Sequence, residues 1–126
     1  MKYQFTIPER FIILNMLAKD SIRGDILTLK LVHETTMNIA LDETEIKEKN
    51  IVREDDKYYW NDSTYEKEIE IPEPVETIII NELNVMNDAK VLSRIHVPLW
   101  EKIVERKESD INKEEITGQL VENIPQ

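Results

Sequence analysis

The chain has 126 residues, with 16 Lys plus Arg against 26 Asp plus Glu, a formal charge of −10, and 40% hydrophobic and 33% charged side chains. That length fits one domain, or one domain with a tail. The acidic excess argues against a dedicated phosphate-backbone binder, which needs a basic face. Zero Cys excludes disulfides, thiolate zinc sites and thiol nucleophiles.

Gly24 and Gly118 are the two glycines, and they cannot form a Walker loop or a dinucleotide fingerprint. Met1 to Phe5 lack the apolar core of a signal peptide. The longest apolar run, Phe11-Ile12-Ile13-Leu14, is far shorter than the roughly 20 residues that span a bilayer. A cytoplasmic protein without membrane association is expected. The charge is uneven: residues 1–41 carry a net +1 through Lys2, Arg10, Lys19, Arg23 and Lys30, and residues 42–126 carry −11.

Thr6-Ile7-Pro8-Glu9 opens the first helix with a Thr-x-x-Glu capping box and Pro in the first turn. Ile7, Phe11, Leu14, Leu17 and Ala18 form its expected apolar face, and the helix should stop before Asp20-Ser21. Asp25 is the expected N-cap of a second helix over about 26–40, with Leu29, Val32, Thr36 and Ile39 or Ala40 as its stripe. Ile26 to Val32 also alternates as a strand would, but the periodic segment is too long for one strand. Asp42-Glu43-Thr44-Glu45 is a second capping box, starting a short helix to about Asn50.

The pattern then changes. Ile51 to Glu54, Asp55-Asp56-Lys57 and Tyr58 to Asn61 read as strand, turn and strand. Tyr65 to Ile71 alternates, with Glu66, Glu68 and Glu70 on one face and Ile69 and Ile71 on the other. An antiparallel sheet of two or three strands with an acidic face follows. Pro72-Glu73-Pro74 ends it, and Val75, Ile78, Ile79, Leu83 and Met86 mark a fourth helix that Asn87-Asp88 breaks. Residues 91–105 give a fifth helical segment, in which Pro98 is tolerable only in the first turn. Residues 106–126 are polar, with spaced apolar positions, and read as a flexible tail. The expected organisation is one α+β domain over 1–105: a helical N-terminal half, a small antiparallel sheet and two further helices.

Little here carries chemistry. His33 and His96 belong to no metal-ligand pattern, and Ser21, Ser63, Ser93 and Ser109 have no elbow or triad context. Glu54-Asp55-Asp56 lacks calcium-loop spacing. Tyr58, Tyr59, Trp60 and Tyr65 cluster in the sheet region, and Tyr and Trp are enriched at protein contacts. Neighbouring Glu54, Asp55, Asp56 and Asp62 oppose base stacking by repelling phosphate.

Three helices followed by a hairpin is also the order of a winged helix, which places its third helix in the major groove. Here that helix holds Asp42, Glu43, Glu45 and Glu48 against Lys47 and Lys49, the wrong balance for DNA. The segments Pro8 to Leu14, Gly24-Asp25 with Thr28-Leu29-Lys30, Glu43 to Glu48, Trp60-Asn61, Lys67 to Ile71 and Leu99 to Ile103 together resemble a set of small phage and prophage proteins over about residues 7–105. The resemblance implies a phage-related origin and no assigned activity. The expected function is non-enzymatic binding of another protein, with a homo-oligomer as one form of it and with no cofactor or metal. Its expected contact residues are Tyr58, Trp60, Tyr65, Glu66, Glu68 and Glu70. A winged-helix nucleic-acid regulator using the basic residues of the first 41, and a small carboxylate enzyme, are the alternatives.

Overall fold

The computed structural model describes residues 1–19, 21–62 and 64–106. The tail expected over 106–126 lies outside the described residues beyond Arg106. The chain is of α+β class and forms two compact units, Met1–Ile79 and Ile80–Gln126.

The first unit begins with a strand, β1 (Lys2–Thr6), and not with the helix that the sequence suggests. Its alternation is real: Tyr3 and Phe5 are buried while Lys2 and Gln4 are exposed. Five residues ahead of a strong capping box give little local signal, and the paired residues lie 60 to 68 positions away. That partner is β4 (Glu66–Glu70), antiparallel to β1, with Lys2 opposite Glu70, Tyr3 opposite Ile69 and Phe5 opposite Lys67. The Met1 amino group and the Ile71 amide extend the ladder, each donating to the other residue's carbonyl at 3.0 and 2.9 Å.

The helix α1 (Ile7–Leu17) follows directly. Its capping box forms as expected: the Glu9 amide donates to Thr6 Oγ1 at 3.3 Å, and the Thr6 amide donates to Glu9 Oε1 at 2.8 Å. Its buried face differs from the expected one. Ile7, Arg10, Ile13, Met16 and Leu17 are buried, whereas Phe11 and Leu14 are half-buried and Ala18 is exposed. Apolar side chains surround this helix, so periodicity could not select the face that tertiary packing covers.

Asp25 caps α2 (Ile26–Ile39) by accepting the Thr28 amide at 2.8 Å. Hydrogen bonds from the Thr28 amide and hydroxyl lower the Asp25 pKa. Val32, Thr35 and Ile39 are its buried positions, and Leu29 is 38% exposed, so the buried stripe lies to one side of the expected one. The second capping box, at Asp42 and Glu45, starts α3 (Glu43–Glu48). Asn50, with φ of 51°, ends it: the Asn50 amide donates to the Lys47 carbonyl and the Ile51 amide to the Ile46 carbonyl. This is a Schellman closure with Asn in the left-handed position.

The hairpin β2 (Val52–Glu54) and β3 (Lys57–Tyr59) forms in the expected region, with Lys57 opening β3 instead of closing the turn and with Trp60 and Asn61 past the strand's end. Asp55 and Asp56 both have positive φ, 49° and 63°, which is the backbone of a type I′ turn. The hairpin does not pair with β4, so two separate two-stranded ribbons replace the single sheet of the sequence reading. The side chains of Phe5, Ile7, Ile13, Ile39, Ile69, Ile71, Val75 and Ile79 are buried at 3% exposure or less. Each such burial is worth about 1.5–3 kcal/mol before entropy is counted. The winged-helix order of three helices and a hairpin is present, flanked by β1 and β4.

The helix α4 (Glu73–Asp88) begins in this unit and ends in the second. Lys90, with φ of 59°, closes it by a second Schellman arrangement, its amide on the Asn87 carbonyl and the Val91 amide on the Met86 carbonyl. A 3₁₀ turn (Arg94–His96), α5 (Val97–Trp100) and a π turn (Glu101–Glu105) then run on without interruption. Pro98 occupies the first turn of α5, where its missing N–H costs nothing. Leu83, Leu99, Ile103 and Val104 are buried.

Candidate functional site

The most concentrated polar chemistry is inside the first unit. Arg10, 1% exposed, donates from Nη1 to Glu45 Oε2 at 2.6 Å and from Nη2 to Glu45 Oε1 at 2.9 Å. Its Nε and Nη2 also donate to the carbonyls of Ile39 and Ala40, at 2.8 and 3.0 Å. The Tyr65 hydroxyl donates to Glu45 Oε2, and the Lys49 ammonium stands 4.6 Å from the Tyr65 ring centre. One guanidinium thus joins α1 to the end of α2 and the start of α3, and Tyr65 joins the segment before β4 to the same carboxylate.

Burial alone would raise the Glu45 pKa. The hydrogen bonds from Arg10 and Tyr65 and the charges of Arg10 and Lys67 outweigh it and hold the value at about 2. Desolvation and the Glu45 carboxylate push Tyr65 up to about 12. Both Glu45 oxygens are engaged, so the cluster ties α1, α2, α3 and the segment before β4 together. A second buried contact, Tyr3 hydroxyl to Glu76 Oε2 at 2.8 Å, ties β1 to α4 within the same unit.

The expected aromatic patch separates into different roles. Tyr58 leans on Phe11, ring centres 4.7 Å apart, with Arg53 over its ring at 5.9 Å. Tyr65 is committed to Glu45. Tyr59, absent from the expected contact set, is 53% exposed. It lies directly opposite Val52, which is 48% exposed, on the outer face of the hairpin. With half-buried Trp60 and with Asn50, Glu54 and Asn61 they line an open hollow of about 440 Å³. Strand alternation carries the signal that separates Tyr58 from Tyr59: Tyr58 shares a face with Arg53, and Tyr59 with Val52.

Glu66, Glu68 and Glu70 are exposed, as the alternation requires. They form half of a ribbon face whose other strand presents Thr6, Gln4 and Lys2 directly opposite them. The acidic row is therefore interleaved with neutral and basic side chains.

In the second unit Ser93 and His96, unremarkable in the sequence, come together. Ser93 Oγ stands 3.2 Å from His96 Nδ1, beside a hollow of about 220 Å³ lined also by Trp100, Glu101 and Glu105. The Ser93 backbone amide donates to the same Nδ1 at 3.1 Å. The ring thus caps the start of the 3₁₀ turn, with the Ser93 amide and hydroxyl both on one nitrogen. Among the described residues no group of three or more His, Asp and Glu could hold a metal ion, and no helix is long and apolar enough to cross a membrane.

The fold and surface define a small α+β protein with a buried polar cluster in an apolar core and an aromatic hairpin face. No family model matches the chain, and no curated protein and no solved structure matches it.

Proposed function

We propose that this chain is a non-enzymatic protein-binding module of phage-related origin, acting in the cytoplasm, and that the outer face of the β2–β3 hairpin is its contact surface. One observation carries the reading: Val52 and Tyr59 face each other across the ladder, each about half exposed, beside Trp60. An apolar and aromatic cluster around a shallow hollow is what a protein hot spot presents. Glu54 lines the hollow and is exposed, with exposed Lys57 directly opposite it across the ladder, so the partner presents an apolar side chain with a rim of mixed charge. The acidic run Glu54-Asp55-Asp56 opposes a nucleic-acid phosphate. The engaged state of Glu45 and of His96 Nδ1 supports the non-enzymatic part, and the lack of cysteine suits a reducing compartment.

The test is a photo-crosslinking amino acid in place of Tyr59, with a second chain carrying it in place of Asn84 on α4. Irradiation in host-cell lysate is expected to give a discrete protein adduct from position 59 that is absent from position 84. Equal labelling from both positions, or salt-sensitive DNA binding without a protein adduct, counts against the proposal.

A further inference from the structure

The helix α2 carries a second, independent surface. Val32, Thr35 and Ile39 face the interior, and Leu27, Lys30, Glu34 and Met37 lie on the opposite side. Their steps of three, four and three residues place them on one stripe with the spacing of a coiled-coil seam. All four are exposed, Leu27 at 70% and Met37 at 68%, with Ile26 beside them at 67%.

The stripe is self-complementary when reversed. Read forward it is apolar, cationic, anionic, apolar, and turned end for end the cation falls on the anion and the apolar ends meet. We infer that α2 packs antiparallel against α2 of a second copy of this chain, about a two-fold axis level with residue 32. Leu27 then meets the partner's Met37, and Lys30 meets the partner's Glu34, each contact made twice as an isologous interface requires. Parallel pairing sets Lys30 against its own copy and Glu34 against its own copy, and is disfavoured by repulsion. Sliding the antiparallel pair by three residues puts Leu27 against a charge, so the register is fixed as well. Within one helix a Lys four residues before a Glu is the weaker orientation for an ion pair, which leaves both groups for the second copy. A helix of 14 residues is about 21 Å long and offers some two heptads, so the dimer is weak and concentration-dependent.

The experiment is sedimentation equilibrium on the full chain up to millimolar protein. Lys30→Glu and Glu34→Lys are each expected to weaken dimerisation about tenfold, with unchanged far-UV circular dichroism because both sites are exposed. Mixing the two variants in equal amounts restores a dimer, since every charge pair is then opposite. Because the chain has no cysteine, an equal mixture of Leu27→Cys and Met37→Cys chains reports orientation, and oxidation should yield the mixed disulfide well beyond the half of all crosslinks that random pairing gives. A monomer at every concentration, dimerisation indifferent to both charge reversals, or a mixed disulfide at or below the random half overturns the inference.

Discussion

Arg10 and Glu45, 35 positions apart and both buried, are locked fork to fork at 2.6 and 2.9 Å. The pair pins α1, α2 and α3 together, and each partner is costly to remove alone because the other is left buried without its counter-charge. Replacing Arg10 by Met leaves an unpaired buried carboxylate and is expected to cost about 3 kcal/mol in urea unfolding. Adding Glu45→Leu to that chain removes the stranded charge and should recover part of the loss, a coupling that a double-mutant cycle measures directly.

The acid limb follows from the same pair. The folded Glu45 pKa of about 2 lies below its ordinary 4.5. A depressed carboxylate contributes stability that is complete above the unfolded value and is lost as pH falls through the folded one. Stability should therefore decline from about pH 4.5 toward pH 2. In Glu45→Gln chains the decline over that window should be shallower, as read from urea midpoints at successive pH values.

The alkaline limb belongs to Tyr65. Its folded pKa of about 12 stands above the ordinary 10.0, so its contribution is complete below pH 10 and fades as pH rises toward 12. Tyr65→Phe should lower stability by about 1–2 kcal/mol at neutral pH, through the lost bond to Glu45. It should also flatten the alkaline decline, which spectrophotometric titration of the tyrosines checks independently.

The hairpin turn offers a gain. Asp56 holds φ at 63°, a region that costs a non-glycine side chain energy. Asp56→Gly should stabilise the chain by about 1 kcal/mol, with unchanged spectra, and Lys90→Gly, at φ of 59°, should do the same for the end of α4. A loss of stability at both positions would contradict the turn geometry.

What the sequence disclosed tracks how local each cause is. Thr6 with Glu9, Asp25 with Thr28 and Asp42 with Glu45 are caps written within four residues, and all three form. Asp55-Asp56 between β-prone runs marked the hairpin for the same reason. The strand β1 was not legible, because Tyr3 and Phe5 acquire their role from Ile69 and Lys67 across the ladder. Arg10 was hidden too: a lone cation on an apolar helix reads as solvated, and its burial depends on a carboxylate supplied by a capping box 35 residues away. The same box signal that located α3 thus concealed the second task of Glu45. In the hairpin the aromatic cluster was visible, but its division into packed Tyr58 and outward Tyr59 rests on the ladder's parity and on Phe11.

Binding and stability should separate at the hairpin. The decisive measurement is an equilibrium titration of the partner crosslinked from position 59 with the unmodified chain and with Tyr59→Ala. Tyr59 is half exposed, so its truncation should leave the unfolding free energy within about 0.5 kcal/mol. Affinity should fall by about 2 kcal/mol, close to thirtyfold. Unchanged affinity with the fold intact would contradict the hairpin face as the contact surface.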